Sequence, residues 1–381
     1  MKFSCVQENL RQGLSIVSHI ANRSVNLPIL ENVLIKAEEG GLKLMTTNLE
    51  MAISCVIRGK VDEKGEFTVP SRLLSDYVSL LPKERVDAEQ TGSHLSVSCS
   101  TFQTKLNGIS SSEFPLVPTV ESEQRFSVKV NALRKAIGQV IFAVAANESR
   151  PEISGVLFKF LPTEGGQQLV LAATDSYRLA ERCVGVERAD GAKIEEGLSV
   201  IVPSRAVAEL VRILGVFKDA VDNPEKMEII VADNQIMFRY NQVELVSRTI
   251  EGKYPDYRQL IPERFETEAS IPKEDLIRAV KATSLFSKSG LNDIGMRFTA
   301  GSTVNVSANN PQTGEHSAEV GGEVSGKENS ITVNFRYLLD GLNNIEAEKV
   351  RIQMIDGMSP CLLRQEGEDG SYLYIVMPIR Q

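Results

Sequence analysis

The sequence predicts an α+β fold built from three repeated domains, each with two helices packed on β-sheet. Three observations carry this. First, Val69-Pro70-Ser71-Arg72 opens an apolar stripe of Leu73, Leu74, Tyr77, Val78 and Leu81. The segment returns as Val202-Pro203-Ser204-Arg205, before Val207, Leu210, Val211 and Leu214, and as Val333-Asn334-Phe335-Arg336, before Leu338, Leu339, Leu342 and Ile345. Second, Arg72, Arg205 and Arg336 recur at an interval of about 130 residues, the signature of an internal repeat. Third, the same order of elements surrounds each copy.

Each copy opens on a short β-like run: Lys2 to Val6, Arg125 to Val130 and Thr267 to Ile271. A first amphipathic helix follows. Its stripe is Leu10, Leu14 and Val17 in the first copy, and Leu133, Ile137, Val140, Ile141 and Val144 in the second. In the third it is Leu276, Ile277 and Val280, after Pro272. Next comes a hairpin-like stretch reversing at Gly40-Gly41, Gly165-Gly166 and Gly301, since glycine supplies the positive φ of tight reversals. The second helix starts at the repeated Arg segment. Ser71, Ser204 and Asn334 are its expected N-caps, short oxygen-bearing side chains suited to orphan backbone N–H groups. Further strands end near Phe114-Pro115, Tyr254-Pro255 and Met377-Pro378. The expected domains are 1–122, 123–262 and 263–381. Loops around 187–197 and 218–226 are expected to lengthen the middle copy.

The chain of 381 residues carries 42 basic and 50 acidic side chains, net −8. Taken whole, this argues against a polyanion partner, because phosphate binding rests on Lys and Arg. Sorted by element the sign divides. The segments 7–23, 71–85, 131–150, 204–218, 273–288 and 335–349 hold 17 basic and 10 acidic residues, about +7, and the remainder holds about −15. A basic helical layer with acidic surroundings would attract a polyanion locally and repel it elsewhere. The bland alternative is that Lys and Arg simply sit on solvated helix faces.

Five cysteines lie far apart, with no C-x-x-C pair, and read as reduced, mostly buried thiols. The three histidines, His19, His94 and His316, are isolated. No phosphate-binding glycine loop, H-E-x-x-H or G-x-S-x-G motif occurs, and no cofactor is expected. Asp175, in Ala173-Thr174-Asp175-Ser176-Tyr177-Arg178, is the most site-like carboxylate. It reads better as a turn or protein-binding loop than as a catalytic acid, because no second catalytic group accompanies it. Tyr374-Ile375-Val376-Met377-Pro378-Ile379-Arg380-Gln381 reads as a core strand, or as an apolar docking edge blunted by Pro378. No apolar run of about 18 residues occurs, and Glu8 interrupts any signal-like core; the expected location is cytoplasmic.

Eight segments in order complete the reading: Met1-Lys2-Phe3, Leu27-Pro28-Ile29-Leu30, Val69-Pro70-Ser71-Arg72, Ala173-Thr174-Asp175-Ser176-Tyr177-Arg178-Leu179, Val202-Pro203-Ser204-Arg205, Tyr254-Pro255-Asp256-Tyr257-Arg258, Ala308-Asn309-Asn310-Pro311 and Val376-Met377-Pro378-Ile379-Arg380. Over its full length the chain resembles the bacterial β sliding clamps, the processivity subunits of DNA polymerase III. The resemblance implies a head-to-tail homodimer whose six domains close a ring around duplex DNA, with helices lining the hole. It implies no catalytic activity. It places DNA contacts at Arg23, Arg72, Arg134, Arg150, Arg205 and Arg212, with Pro151 and Glu152 standing where related clamps carry aromatic residues. It implies a peptide pocket that serves the replicative polymerase, the clamp loader and repair polymerases. The pocket wall would be Ile153, Thr174, Ser176, Tyr177, Arg178, Leu179, Pro255, Gln259, Leu260, Met358, Pro360, Ile375, Val376, Met377, Pro378, Ile379 and Arg380. Gln259 and Gln381 depart from residues common in relatives. Leu106, Leu285 and Phe286 are the expected dimer contacts. An enzyme using Asp175 and Arg178 is the alternative from another class.

Overall fold

The computed structural model describes residues 1–21, 27–117, 120, 124–146, 149–164, 166–189, 197–217, 223–367 and 371–380. Arg23, Gln381 and the loop stretches 190–196 and 218–222 lie outside them. Among the described residues six α-helices form: α1 (Gln7–Val17), α2 (Ser71–Leu80), α3 (Val130–Val140), α4 (Ser204–Val216), α5 (Lys273–Ser284) and α6 (Phe335–Asn343). The stripes of the first helices face inward, with Leu10 and Leu14, Leu133 and Ile137, Leu276 and Val280 at most 1% exposed; in the second helices Leu74, Leu210 and Leu338 are buried, but Leu73 is 54% exposed.

The helices are shorter than the expected segments. α2 shows why: Pro82 drives Leu81 out of the helical region (ψ 151°), so the helix stops at Leu80. Within the observed bounds the helices carry 10 basic and 6 acidic residues. Part of the expected basic excess therefore sits in the segments after the helices. The capping also differs from expectation. Pro70 holds the N-cap position of α2 without a side-chain bond, and the buried Ser71 hydroxyl has no protein partner. The Asn334 side chain does cap α6, accepting from the N–H groups of Arg336 and Tyr337. Ser71 and Ser204 are instead the first residues of their helices. The register is thus Pro70 and Pro203 opposite Asn334.

The chain forms two compact units. In the first, strands Lys60–Glu63, Lys2–Val6, Arg85–Thr91, His94–Cys99 and Phe102–Asn107 make one antiparallel sheet. A second sheet runs Gly65–Pro70, Asn32–Glu38, Gly41–Thr47, Met51–Ile57, Val243–Arg248, Gln235–Tyr240, Lys226–Val231 and Arg125–Lys129. The junction of repeats one and two is a strand pairing within this sheet, with Ser247 opposite Met51.

The second unit repeats the scheme. Leu198–Pro203, Gly155–Thr163, Gly166–Thr174 and Arg178–Arg188 pair onward to Tyr372–Val376, Cys361–Gln365, Lys349–Met354 and Thr267–Pro272. Here Val376 lies opposite Arg178. Asn329–Asn334, Asp293–Thr299, Gly301–Asn310 and Gly314–Gly326 complete the third repeat. The repeats share one more bond. Ile109 N–H donates to the Thr68 carbonyl (3.1 Å), Ile250 to Ile201 (2.8 Å) and Ile379 to Thr332 (2.8 Å).

The five cysteines are free, and four are buried. Burial pushes the thiols of Cys5, Cys55 and Cys361 up to about 12 and that of Cys183 to about 11. Each histidine meets a different neighbour: His19 meets Glu209 (2.6 Å), His94 meets Asn107 (2.7 Å) and His316 meets Thr283 (3.2 Å). Among the described residues no helix is long and apolar enough to cross a membrane.

Candidate functional site

The site is built on the turn Thr174 to Arg178, between two antiparallel strands. Asp175 Oδ1 accepts from the N–H groups of Tyr177 (2.9 Å) and Arg178 (3.0 Å). The Thr174 hydroxyl donates to the Arg178 carbonyl (2.6 Å) and accepts from Ser176 N–H (3.1 Å). Ser176 takes φ 78°, a left-handed conformation that the turn holds in place. Both oxygens of Asp175 are engaged, because Oδ2 also accepts from Arg178 Nε (3.0 Å). The carboxylate therefore shapes a turn and is not poised for proton transfer. The same turn occurs in the first repeat, where Asn48 Oδ1 accepts from Glu50 (3.1 Å) and Met51 (2.8 Å), and Leu49 takes φ 74°.

Arg178 sits beneath this turn with 12% of its side chain exposed. It bonds Asp175 and Asp340 and donates to the Phe142 carbonyl (2.8 Å). Its guanidinium lies 5.4 Å from the Phe142 ring centroid and 4.7 Å from that of Tyr337. Tyr177 stacks on Tyr337 at 6.4 Å, and the Tyr374 hydroxyl donates to the Tyr337 carbonyl (2.8 Å). Burial, the first cause, pushes the Tyr374 phenol well above its ordinary value, so it stays a neutral donor. Arg178 is thus a keystone, while the exposed Tyr177 offers surface.

The structure gathers Ile153, Leu179 and Ile375 into one apolar cluster with Leu157, Ala172, Ile201, Tyr254, Tyr257, Leu362 and Leu373, and Met377 packs against it. The terminal segment is fixed by Met377 N–H donating to the Tyr177 carbonyl (2.9 Å). Val376 is fully buried. Thr174 is buried, Pro255, Pro360, Met377, Pro378 and Ile379 are half-buried, and Ser176, Gln259 and Arg380 are exposed. Gln259 bonds Asp256 (2.8 Å). The accessible apolar surface comes from Tyr177, Leu260 and Met358, which are 64%, 42% and 58% exposed. Sequence reasoning missed Phe142, Tyr337 and Asp340. Their signal was present in the third Arg segment, whose helix α6 carries the last two.

The basic residues divide by environment. Arg72 and Arg205 are exposed second residues of α2 and α4, and Arg134 is half-buried on α3. Arg150 donates to Glu152 (3.0 Å) and to the Ser176 hydroxyl (3.1 Å), which places it beside the turn. Arg212 is committed to structure: it bonds Glu209 (2.9 Å from Nε) and the carbonyls of Ser15 (2.9 Å from Nη1) and Ile16. Among the expected dimer contacts Leu106 is buried, Leu285 is 75% exposed, and Phe286 stacks on His316 at 5.4 Å. Among the described residues no cluster of His, Cys, Asp and Glu could hold a metal ion.

Comparisons with known proteins agree with this architecture. Residues 1–118, 127–256 and 258–380 match the N-terminal, central and C-terminal domains of the DNA polymerase III beta subunit. The beta sliding clamp of Staphylococcus aureus (strain Mu50) is 31% identical over 392 residues, covering 100% of this chain and 99% of that protein. The crystal structure of the DNA polymerase III subunit beta from Pseudomonas aeruginosa is 29% identical, with a TM-score of 0.91 and full coverage of both chains. A Pseudomonas aeruginosa sliding clamp bound to griselimycin is 28% identical, with a TM-score of 0.90 and full coverage of both chains. Three matched domains in order, across essentially the whole length, show that the chain belongs to the DNA polymerase III beta subunit family of sliding clamps.

Proposed function

We propose that two copies of this chain join head to tail around duplex DNA and tether the replicative polymerase, the clamp loader and repair polymerases to it. The role is non-catalytic and cytoplasmic, and the domains are 1–122, 123–262 and 263–381. The observation that carries this reading is a pair of complementary strand edges. Within the chain, the last strand of one sheet in each repeat pairs with the preceding repeat: Met51–Ile57 with Val243–Arg248, and Arg178–Arg188 with Tyr372–Val376. The two strands at the corresponding positions of the repeat pair on one side alone among the described residues. They are Phe102–Asn107 in the first repeat and the start of Gly314–Gly326 in the third. Unpaired edges of this kind invite pairing between chains, and a heterologous contact that closes makes a ring.

The repeat sets the register of that contact. Ser247 and Val376 each stand three residues before the isoleucine of the shared bond, and Leu106 stands three before Ile109. Across the turns, Thr47 pairs with Ala52, Thr174 with Leu179 and Asn309 with Glu315. Leu106 therefore faces Gly314 of a second copy, and Lys105 faces Glu315. Leu285 and Phe286 flank this contact. DNA is held through Arg23, Arg72, Arg134, Arg150 and Arg205 by phosphate attraction that permits sliding; Arg212 supports α1. The apolar cluster around the Thr174 turn takes the partner peptides, and Tyr177, Leu260 and Met358 present its surface.

The test is retention. Clamp loaded on nicked circular DNA should stay bound through gel filtration and leave after the circle is linearised. Equal retention on both forms would sink the topological reading.

A further inference from the structure

The three repeats share a sheet floor at one register. In the first it is Leu34, opposite Met45 and Thr68. In the second it is Leu157, opposite Ala172 and Ile201. In the third it is Gly295, opposite Ser307 and Thr332. In the first two repeats the chain covers this floor itself. After Ile109, Phe114 comes to lie on Leu34, and Val117 packs with it. After Ile250, Tyr254 and Tyr257 lie on Leu157, Ala172 and Ile201. The Tyr254 hydroxyl donates to the Ala172 carbonyl (3.3 Å).

The third floor is different. Gly295, Ser307 and Thr332 are half-buried and open into a groove of about 470 Å3, walled by Arg297, Asn329 and Met358 among others. Ile379 makes the shared bond to Thr332 at its edge. The small floor residues leave the volume that leucine, alanine and isoleucine fill in the second repeat. Met358 and Ile379 line this groove and also belong to the proposed peptide pocket, so the two surfaces are continuous.

We propose that the groove over Gly295, Ser307 and Thr332 is an extension of the peptide site that takes one aromatic side chain, preferably tyrosine, from a residue flanking the partner's apolar motif. The partner side chain takes the place that Tyr254 occupies over Leu157 and Ala172. The Ser307 carbonyl stands where the Ala172 carbonyl accepts the Tyr254 hydroxyl. Tyrosine is favoured because its ring fills the space above the small floor residues while its hydroxyl finds an acceptor. The proposal rests on the pocket reading given above.

The experiment uses the full chain and an apolar pentapeptide selected against it from a random library. The pentapeptide is then extended by three residues at either end, with tyrosine placed at each added position in turn. Fluorescence anisotropy should show one extended peptide binding about tenfold tighter than the pentapeptide. Replacing its tyrosine by alanine should remove the gain. Gly295→Leu should also remove the gain while leaving the pentapeptide's affinity unchanged. A Cβ there meets Ser307 Oγ at 3.5 Å and the Ser307 carbonyl oxygen at 3.7 Å, both ordinary contacts, and the melting temperature of the variant reports its folding. Thr332→Ile, the residue of the second repeat, is the second filling variant, and its melting temperature reports folding. A pentapeptide that binds but gains nothing from any tyrosine, or a gain that survives both variants, overturns the groove alone. Failure to recover any binding pentapeptide overturns the pocket reading and the groove with it.

Discussion

Arg178 decides whether the proposed peptide site keeps its shape. Its guanidinium meets two carboxylates, a backbone carbonyl and two aromatic faces, with little access to water. Removing it leaves Asp175 Oδ2 and the Phe142 carbonyl without their partner, and breaking a largely buried pair costs about 3 kcal/mol. Arg178→Ala should lower the denaturant midpoint accordingly and abolish peptide binding. Arg178→Lys should recover little, because an ammonium cannot fork between Asp175 and Asp340 while stacking on Tyr337. Full peptide affinity in Arg178→Lys would show that the fork is dispensable. The sequence brought Asp175 and Arg178 into view as neighbours and offered a catalytic alternative. The geometry removes that alternative by engaging every oxygen of Asp175 in the turn. Asp340 and Phe142 were not legible as partners, since nothing in local spacing joins residues so far apart along the chain.

Among the elements, the helices show where local preference ends and packing begins. Gly341 lies inside α6, where alanine is favoured by about 1 kcal/mol on propensity alone. A Cβ there would stand 2.2 Å from the Tyr374 ring. Gly341→Ala should therefore destabilise the protein despite its better helix propensity, by an amount set by how far Tyr374 can yield. Thermal unfolding checks this, and a raised Tm would refute the close approach. The second helices also share a device. Glu209 and Asp340 each stand four residues after the repeated arginine. Each holds an arginine that bonds carbonyls in the last turn of a first helix or just after it: Arg212 to Ser15 and Ile16, and Arg178 to Phe142. The order of strands and helices was legible because the periodicities of 2 and 3.6 persist in each copy. Of the helix caps Asn334 was read in place, while Ser71 and Ser204 were read one residue off, because the strand runs directly into the helix and proline takes the flanking position.

For the whole molecule, the proposed closure rests on two strand edges and not on the side chain of Leu106, which is buried within its own sheet. The proposed register sets Lys105 against Glu315 of the second copy, and a head-to-tail pair contains this contact twice. Like charges directly opposite destabilise a strand pair. Lys105→Glu should thus raise the dimer dissociation constant about tenfold at low salt. Adding Glu315→Lys should restore it. Sedimentation at graded concentration measures both, and an unchanged dimer in Lys105→Glu would refute the register.

The sequence by itself determined the threefold repeat, the alternation of strand and helix, the family and the segments that build the site. These are local or periodic properties, written in spacing that does not depend on distant partners. Only the tertiary structure decided what each residue does there. It made Asp175 a turn, Arg178 a keystone and Arg212 a brace for α1, and it exposed Tyr177, Leu260 and Met358 while burying Leu179 and Val376. It also showed one floor covered twice by the chain's own aromatic residues and open the third time. Such differences arise from which strands pair and which side chains fill the space between them. That is settled by contacts between residues far apart in the chain, where composition and period carry no record.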